Sequence, residues 1–279
     1  MTAAAFVPLL FFGICLLISL CATIIFWYET LNTPEESIPA PRPVLPACLR
    51  HYALTAASHL LCLGLTPFGP VLRRGPQKQE TDLPPVILVH GLLNNASAWL
   101  FLGRAVKKAG YPFSTFCYSS LFTPLKKILG DLDDHARRVT AASGGRSPVF
   151  LCHSLGGLLV RRWLAENGGR PAGTRGVITL GTPHGGSKMA IFAPGSLARS
   201  IRPDGSLVAA LRKAAPLEGL PCVSLVSPVD EAVLPAARLL PPSGWTLRLT
   251  PPVPHFFLLF NPAVAAMVLE ELRKRQDSP

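Results

Sequence analysis

The feature that most constrains the fold of this chain is the abrupt change of pattern within residues 148–164. A β-rich apolar run at 149–151 ends in the turn at 153–157, and apolar residues then recur at helical spacing. A strand, a tight turn and a helix in direct succession place the hydroxyl of Ser154 at the tip of the turn, beside the positive end of the helix dipole. The stretch therefore predicts an exposed nucleophilic serine. The alternative is a buried strand–helix joint in which the serine is incidental.

The pattern on either side of this turn predicts the fold class. From Leu83 onward, strand-like and helix-like patterns alternate, which is typical of a parallel sheet wrapped by helices. The strands are predicted at residues 85–90, 113–118, 149–151, 176–180, 221–226 and 245–249. Helices are predicted at residues 96–108, 123–142, 158–164, 206–213 and 262–275. We expect an α/β fold with a mostly parallel sheet of about six strands flanked by helices, preceded by one transmembrane helix.

The charge and the cysteines narrow the range of partners. The formal net charge is +11, but the basic residues occur as scattered doublets with no interleaved aromatic residues. We therefore expect no nucleic acid partner, because solvated helix faces or attraction to an anionic lipid surface account for the charge. The seven cysteines form no C-x-x-C pair and no Cys/His cluster with zinc spacing, so neither a metal nor a cofactor is expected. Cys48 and Cys62 are the one pair that could form a disulfide.

The N-terminus predicts attachment to a membrane. Residues 3–28 form an uncharged apolar run that, as a helix, would extend about 39 Å and cross a bilayer core. A cleaved signal peptide would need a basic start and a shorter apolar core, and both are missing here. We expect a single-pass anchor, and the acidic residues after Tyr28 favour an extracytoplasmic catalytic domain.

The expected domain organisation follows from this anchor. Residues 1–28 are predicted to be the transmembrane anchor, and 29–82 a Pro-rich spacer with a juxtamembrane helix at 49–65. Residues 83–279 are predicted to form the catalytic domain. The spacer is expected to be stiff and extended across 33–46, which keeps the domain near the bilayer.

A nucleophilic serine needs a base, an acid that orients the base, and donors for the oxyanion. The strand, turn and helix around Ser154 resemble those of α/β-hydrolases, in which the acid and then the histidine follow the serine along the chain. That order implies Asp230, just past the end of a core strand, as the acid, with Glu231 as its alternative. His255 follows the last strand and is the expected base. His184 is its main rival, but it precedes the acid.

Two backbone N–H groups are expected to complete the site. One belongs to Leu155, directly after the serine, and the other to Leu92, in the loop after the first core strand. His90 and His153 adjoin these positions, and we expect them to make structural hydrogen bonds.

Together these segments resemble a known family. The five blocks VILVHGLLNNASAW, VFLCHSLGG, LGTPHGG, SLVSPVDEAVLP and PHFFLLFNPAV are similar to those of small bacterial lipases and esterases of the α/β-hydrolase superfamily. The resemblance runs from about Pro85 to the C-terminus and implies metal-free hydrolysis of carboxylic esters. It also implies a bacterial protein, and with the anchor an inner-membrane one. Cys152 stands where the G-x-S-x-G pattern has its first glycine, and the approach to His255 is Pro-rich where the family tends to have glycines.

The functional expectation is a serine ester hydrolase that acts on acyl lipids or similar apolar esters at a membrane. An acyltransferase using the same acyl-enzyme, a catalytically inactive membrane-tethered binding module, and thioester or amide cleavage remain open as alternatives. An apolar rim around the site is expected between Gly186 and Leu220. Its members are Met189, Ile191, Phe192, Leu197, Leu207 and Leu211.

Overall fold

A computed structural model describes residues 3–33, 38–78, 81–168 and 173–276. Its centre is a six-stranded sheet in the order β2-β1-β3-β4-β5-β6, and every neighbouring pair is parallel. The strands are β1 (Val86–Val89), β2 (Phe113–Phe116), β3 (Val149–His153), β4 (Gly176–Leu180), β5 (Cys222–Val226) and β6 (Thr246–Leu249). The predicted parallel α/β sheet is therefore confirmed.

Helices lie before the sheet and on both of its faces. The α-helices of the described residues are α1 (Ala3–Asn32), α2 (Leu45–Leu65), α3 (Gly69–Leu72), α4 (Leu100–Lys108), α5 (Leu125–Ala142), α6 (Leu155–Glu166), α7 (Ser196–Ser200), α8 (Ser206–Arg212) and α9 (Pro262–Arg273). Short 3₁₀ helices lie at Thr66–Phe68, Ala96–Trp99, Lys188–Phe192, Ala236–Leu239 and Phe256–Leu259. The helix predicted at 96–108 thus begins as a 3₁₀ turn, which the Asn95 side chain caps by accepting from the Ser97 N–H. The short helix α7 was not predicted.

Alternate strand residues supply two separate cores. Val86 and Leu88 of β1 pack beneath α4 and α9, whereas Ile87 and Val89 pack beneath α5, α6 and α8. Because successive side chains point to opposite faces, a strand buried on both faces reads as a continuous apolar run. The edge strand β6 is the exception, since most of its residues are exposed.

The N-terminal helices pack against the α/β domain. Helices α1 and α2 contact each other, and α2 also contacts the 3₁₀ turn that follows His255. Between them, Ile38 is fully buried in a cluster with Val226 and Val233. The described part of the expected spacer therefore contacts the domain at Ile38, and residues 34–37 lie outside the described residues. The juxtamembrane helix begins at Leu45, where Pro46 occupies the first turn, rather than at residue 49.

Two further findings bear on the N-terminal region. Two helical stretches, Leu9–Asn32 and Leu45–Leu72, are long and apolar enough to cross a membrane, a test that signal sequences and buried core helices also pass. Cys48 and Cys62 are both free thiols, so the disulfide that the sequence allowed is not formed.

Candidate active site

Ser154 lies at the sharp turn between β3 and α6. Its backbone has φ 53° and ψ −124°, a conformation that costs a non-glycine residue about 1–3 kcal/mol. The turn is tight because glycines surround it. A Cβ on Gly91 would lie 2.9 Å from the Ser154 Cβ, and one on Gly156 would lie 2.4 Å from the Val89 carbonyl oxygen. The predicted strand–turn–helix around the serine is therefore present, and the larger Cys152 is accommodated, fully buried, beneath α6.

His255 and Asp230 form a buried hydrogen-bonded pair. The His255 Nδ1 donates to Asp230 Oδ2 at 2.7 Å, and both side chains are almost wholly buried. The other carboxylate oxygen, Oδ1, accepts from the N–H groups of Ala232 and Val233. Burial lowers the pKa of His255, but the adjacent Asp230 outweighs it and leaves that pKa raised. With Nδ1 bound in this way, Nε2 is the ring nitrogen that remains to accept a proton.

Glu231, the alternative acid, has a different partner. Its Oε2 accepts from the backbone N–H of His255 at 3.0 Å and lies 3.5 Å from Nε2 of His51, a residue of α2. Burial by itself raises the pKa of Glu231. The contacts with His51 and His255 lower that pKa by more, so the net shift is downward. Glu231 is therefore held as a carboxylate that fixes the backbone of His255, not its ring.

The rival histidine lies in another part of the fold. The His184 Nδ1 accepts from Arg161 Nη1 at 3.0 Å, and its Nε2 donates to Ser224 Oγ at 3.2 Å. Burial, reinforced by the Arg161 charge, lowers the pKa of His184 well below its ordinary value. His184 lines a separate cavity with Arg161 and Trp245, and Ser154 is not among the residues of that cavity.

His90 and His153 make structural contacts. The His90 Nδ1 donates to the Gly91 carbonyl, while its Nε2 accepts from the Tyr118 N–H. The His153 Nε2 donates to the His255 carbonyl at 3.3 Å, and the two imidazole rings lie 4.6 Å apart. His153 therefore helps to hold His255 in position through a backbone hydrogen bond and a ring contact.

The two predicted oxyanion donors lie at the same end of the sheet. Helix α6 begins at Leu155, so its N–H has no acceptor within the helix. Leu92 lines the same cavity as Ser154. The next residue, Leu93, has φ 55°, and its N–H donates to Ser120 Oγ at 3.1 Å. Two non-glycine residues of the described chain have positive φ, Leu93 and Ser154, and both line this cavity.

Ser154 and His255 open into one cavity of about 510 Å³ with a largely apolar lining. Met189 and Phe192 of the expected rim line it, and Ile191 is exposed beside them. The other three rim residues are buried against the sheet: Leu197, Leu207 and Leu211.

Sequence reasoning missed one side of this cavity. Helix α1 contributes Ile14 and Ile18, and α2 contributes His59 and Cys62. No local signal in the sequence marks these residues, because their role depends on how the N-terminal helices dock. Within the described ranges, no group of three or more His, Cys, Asp or Glu side chains is arranged to hold a metal ion.

Comparison with solved structures shows which fold this is. A lipase of Bacillus licheniformis in its mature form superposes with a TM-score of 0.59 at 19% identity, covering 71% of this chain and 95% of that one. A lipase B of Aspergillus fumigatus superposes with a TM-score of 0.56 at 16% identity, covering 70% of this chain and 53% of that one. A haloalkane dehalogenase variant from Agrobacterium tumefaciens superposes with a TM-score of 0.53 at 14% identity, covering 70% of this chain and 91% of that one. No protein-family model and no curated protein sequence matches the chain. At these identities the likeness establishes the fold, and the chain has the α/β-hydrolase fold that its motifs predicted.

Proposed function

We propose that this chain, an α/β-hydrolase by fold, is a serine carboxylic ester hydrolase that acts on apolar acyl esters at a membrane. The observation that carries the proposal is a single cavity into which both Ser154, on its strained turn, and His255, hydrogen-bonded to buried Asp230, open. Such a constellation is the arrangement that acyl transfer through a serine requires.

The proposed reaction proceeds through an acyl-enzyme. His255 Nε2 takes the proton of the Ser154 hydroxyl as the oxygen attacks the ester carbonyl, and Asp230 stabilises the resulting imidazolium. The N–H groups of Leu155 and Leu92 bind the oxyanion of the tetrahedral intermediate. Its collapse breaks the ester C–O bond, and His255 returns the proton to the departing alcohol. Water, deprotonated by His255, then attacks the acyl carbon. The bond to the Ser154 oxygen breaks, the acid departs, and His255 returns the proton to that oxygen.

The lining of the cavity supports an apolar substrate. Phe192 and Phe256 border it together with aliphatic side chains of the N-terminal helices. The acyl part of an ester would bury its hydrocarbon against them, at about 0.8 kcal/mol for each methylene. Helix α1 supports action at a membrane, since it is long and apolar enough to cross one. We also propose a single-pass protein of a bacterial inner membrane with the domain on the extracytoplasmic side, because acidic rather than basic residues follow the apolar run.

The test uses the full-length protein in detergent micelles with p-nitrophenyl esters and a fluorophosphonate probe. Wild type should hydrolyse the esters and be labelled, whereas Ser154→Ala should be unlabelled and lose about 10⁶-fold in kcat. Cys152→Ala is the matched control two residues earlier on β3, and it should retain both activities because that thiol lies in the core. Turnover by Ser154→Ala, or a wild type that neither reacts nor hydrolyses, would overturn the proposal. Transfer of the acyl group to an added alcohol in preference to water would identify an acyltransferase.

A further inference from the structure

The N-terminal apolar helix forms part of the wall of the Ser154 cavity. The α1 residues that line the cavity lie on one face of the helix, at the spacing i, i+3, i+4, i+7 and i+11. They are Phe11, Ile14, Cys15, Ile18 and Ala22. A helix that served only as a tether would not need to line the cavity of Ser154.

Specific contacts fix this helix to the domain. The Lys188 Nζ bonds Glu29 Oε1 at 2.6 Å, near the C-terminal end of α1. In the middle of the helix, Ser19 Oγ hydrogen-bonds His59 Nδ1 of α2 at 2.8 Å, and the His59 ring packs on Phe256 at 5.3 Å. Through His59, these contacts connect α1 to Phe256, the residue that follows His255 in the chain.

Apolar contacts reinforce the same arrangement. Phe26 and Trp27 are buried in a cluster with Val229 and Leu234, residues on either side of Asp230 and Glu231. Both rings also pack edge-on against His51, the partner of Glu231. The helix is therefore attached to the loop that carries the proposed catalytic acid.

The mouth of the cavity is apolar and exposed. Phe192 lines the cavity and is 72% exposed, and Gly195, just after it, approaches Leu121, which adjoins Phe122, a side chain that is 86% exposed. Leu93 adjoins them through its hydrogen bond to Ser120. Exposed aromatic and aliphatic side chains clustered around a cavity mark a surface that meets lipid or another apolar partner.

The outer face of α1 continues this surface. The residues pointing away from the cavity, among them Leu17, Leu20 and Ile24, are also exposed. One side of α1 thus faces lipid if the helix enters a bilayer, while its other side borders the cavity. A molecule in the bilayer can reach the cavity along α1 without passing through water.

We propose that the α1 face at Phe11–Ala22 is the acyl-binding wall of the active site, and that its occupant is an acyl chain of a membrane lipid ester entering from the bilayer. The face spans about 16 Å of helix, which matches the roughly 15 Å depth of a single leaflet. One acyl chain therefore fits along α1 with its ester carbonyl at Ser154. This inference rests on the proposed esterase activity and adds the substrate class and the residues that select it.

The experiment adds bulk to the part of the cavity that runs along this α1 face, here called the groove, and compares esters of different acyl-chain length. Ile18→Trp and Ile14→Trp in the full-length protein add bulk on the cavity face, and Leu17→Trp adds similar bulk at a neighbouring α1 position that does not line the cavity. The readout is the ratio of kcat/KM for p-nitrophenyl palmitate to that for p-nitrophenyl acetate in detergent micelles. Blocking the groove should lower this ratio by at least about tenfold, since single methylene groups in a pocket already change selectivity by that much. Leu17→Trp should keep the wild-type ratio.

A second arm identifies the source of the acyl chain. The same variants are reconstituted into phosphatidylethanolamine–phosphatidylglycerol vesicles, and release of fatty acid from the vesicle lipid is measured. We expect wild type and Leu17→Trp to release fatty acid and the two groove variants to release much less.

The outcomes separate this inference from the activity itself. If the ratio is the same in all four proteins, α1 is not the acyl wall, although the esterase proposal stands. If the ratio falls in the groove variants but no protein cleaves vesicle lipid, the wall is correct and the lipid substrate is overturned. If the wild type hydrolyses neither p-nitrophenyl ester, the proposed function itself fails.

Discussion

Glu231 and His255 are joined through the backbone, with Glu231 Oε2 accepting the His255 N–H at 3.0 Å. The neighbouring carboxylate, Asp230, binds the ring of the same histidine at 2.7 Å. Two consecutive acids thus hold two different parts of one residue. The Asp230 contact occupies Nδ1 and leaves Nε2 as the ring nitrogen that can accept a proton, while Glu231, which lies 3.5 Å from His51, holds the backbone of His255 in place.

The first prediction separates these two acids. Asp230→Asn should lower kcat by about 10⁴-fold, because an amide cannot stabilise the imidazolium or hold its tautomer. Glu231→Gln keeps an acceptor oxygen for the His255 N–H, so its loss of kcat should be far smaller. It removes the charge opposite His51, however, and should lower the free energy of unfolding by about 1–3 kcal/mol. Steady-state kinetics and urea denaturation measure the two effects. If Glu231→Gln were the less active variant, Glu231 would be the acid of the triad.

The second prediction separates the two histidines. His255→Ala should be as inactive as Ser154→Ala, since members of one catalytic unit fail together. His184→Ala should retain substantial activity, because His184 bonds Arg161 and Ser224 rather than any group of the Ser154 cavity. Thermal denaturation of both variants serves as the control for folding. An inactive but folded His184→Ala would reassign the base.

The third prediction concerns pH. Asp230 holds the pKa of His255 above its ordinary value, so the imidazole stays protonated to a higher pH than a free histidine would. A protonated ring cannot accept the serine proton, and kcat/KM should therefore fall as pH decreases through a midpoint above about 6.5. Glu231→Gln should shift this midpoint downward, since its charge also raises the pKa of His255. A wild-type acid limb below that value would show that a different group controls the rate.

The positions of several candidate site residues could be predicted because these residues follow local patterns. Ser154 directly follows β3 and Asp230 comes four residues after the end of β5, and parallel strands end at the same edge of a sheet. Glycine at 91 and 156 also marks a close approach of backbones, which the structure locates beneath the serine. The fold class and the neighbourhood of the predicted site residues could therefore be inferred from short stretches of sequence.

The role of the N-terminus could not be inferred in this way. An apolar run of this length predicts a helix, but which of its faces meets the domain depends on contacts such as Ser19 with His59 and Glu29 with Lys188. These pairs are far apart in sequence and involve ordinary polar residues. The burial of Ile38 was not predicted for the same reason, since it depends on a cluster formed with residues that are distant in the sequence.

The fourth prediction concerns Gly181, which follows β4 and adjoins the Asp230–His255 pair. A Cβ at this position would lie 2.8 Å from Asp230 Oδ2 and 2.9 Å from His255 Nδ1, and its φ of +54° also disfavours a side chain. Gly181→Ala should therefore both disturb the Asp230–His255 pair and destabilise the fold. The matched control is Gly244→Ala, where φ is +82° but the space around the new methyl group is open.

The control isolates the cost of backbone conformation. Gly244→Ala should lose about 1–2 kcal/mol of unfolding free energy, the cost of a left-handed non-glycine residue, while keeping wild-type kcat. Gly181→Ala should lose more stability than this and most of its kcat, because either Asp230 or His255 must move to admit the methyl group. Urea denaturation and ester hydrolysis on the same preparations provide both numbers. Equal stability losses with full activity in both variants would mean that the Asp230–His255 pair tolerates displacement, and the close packing around Gly181 would then have no part in orienting the histidine.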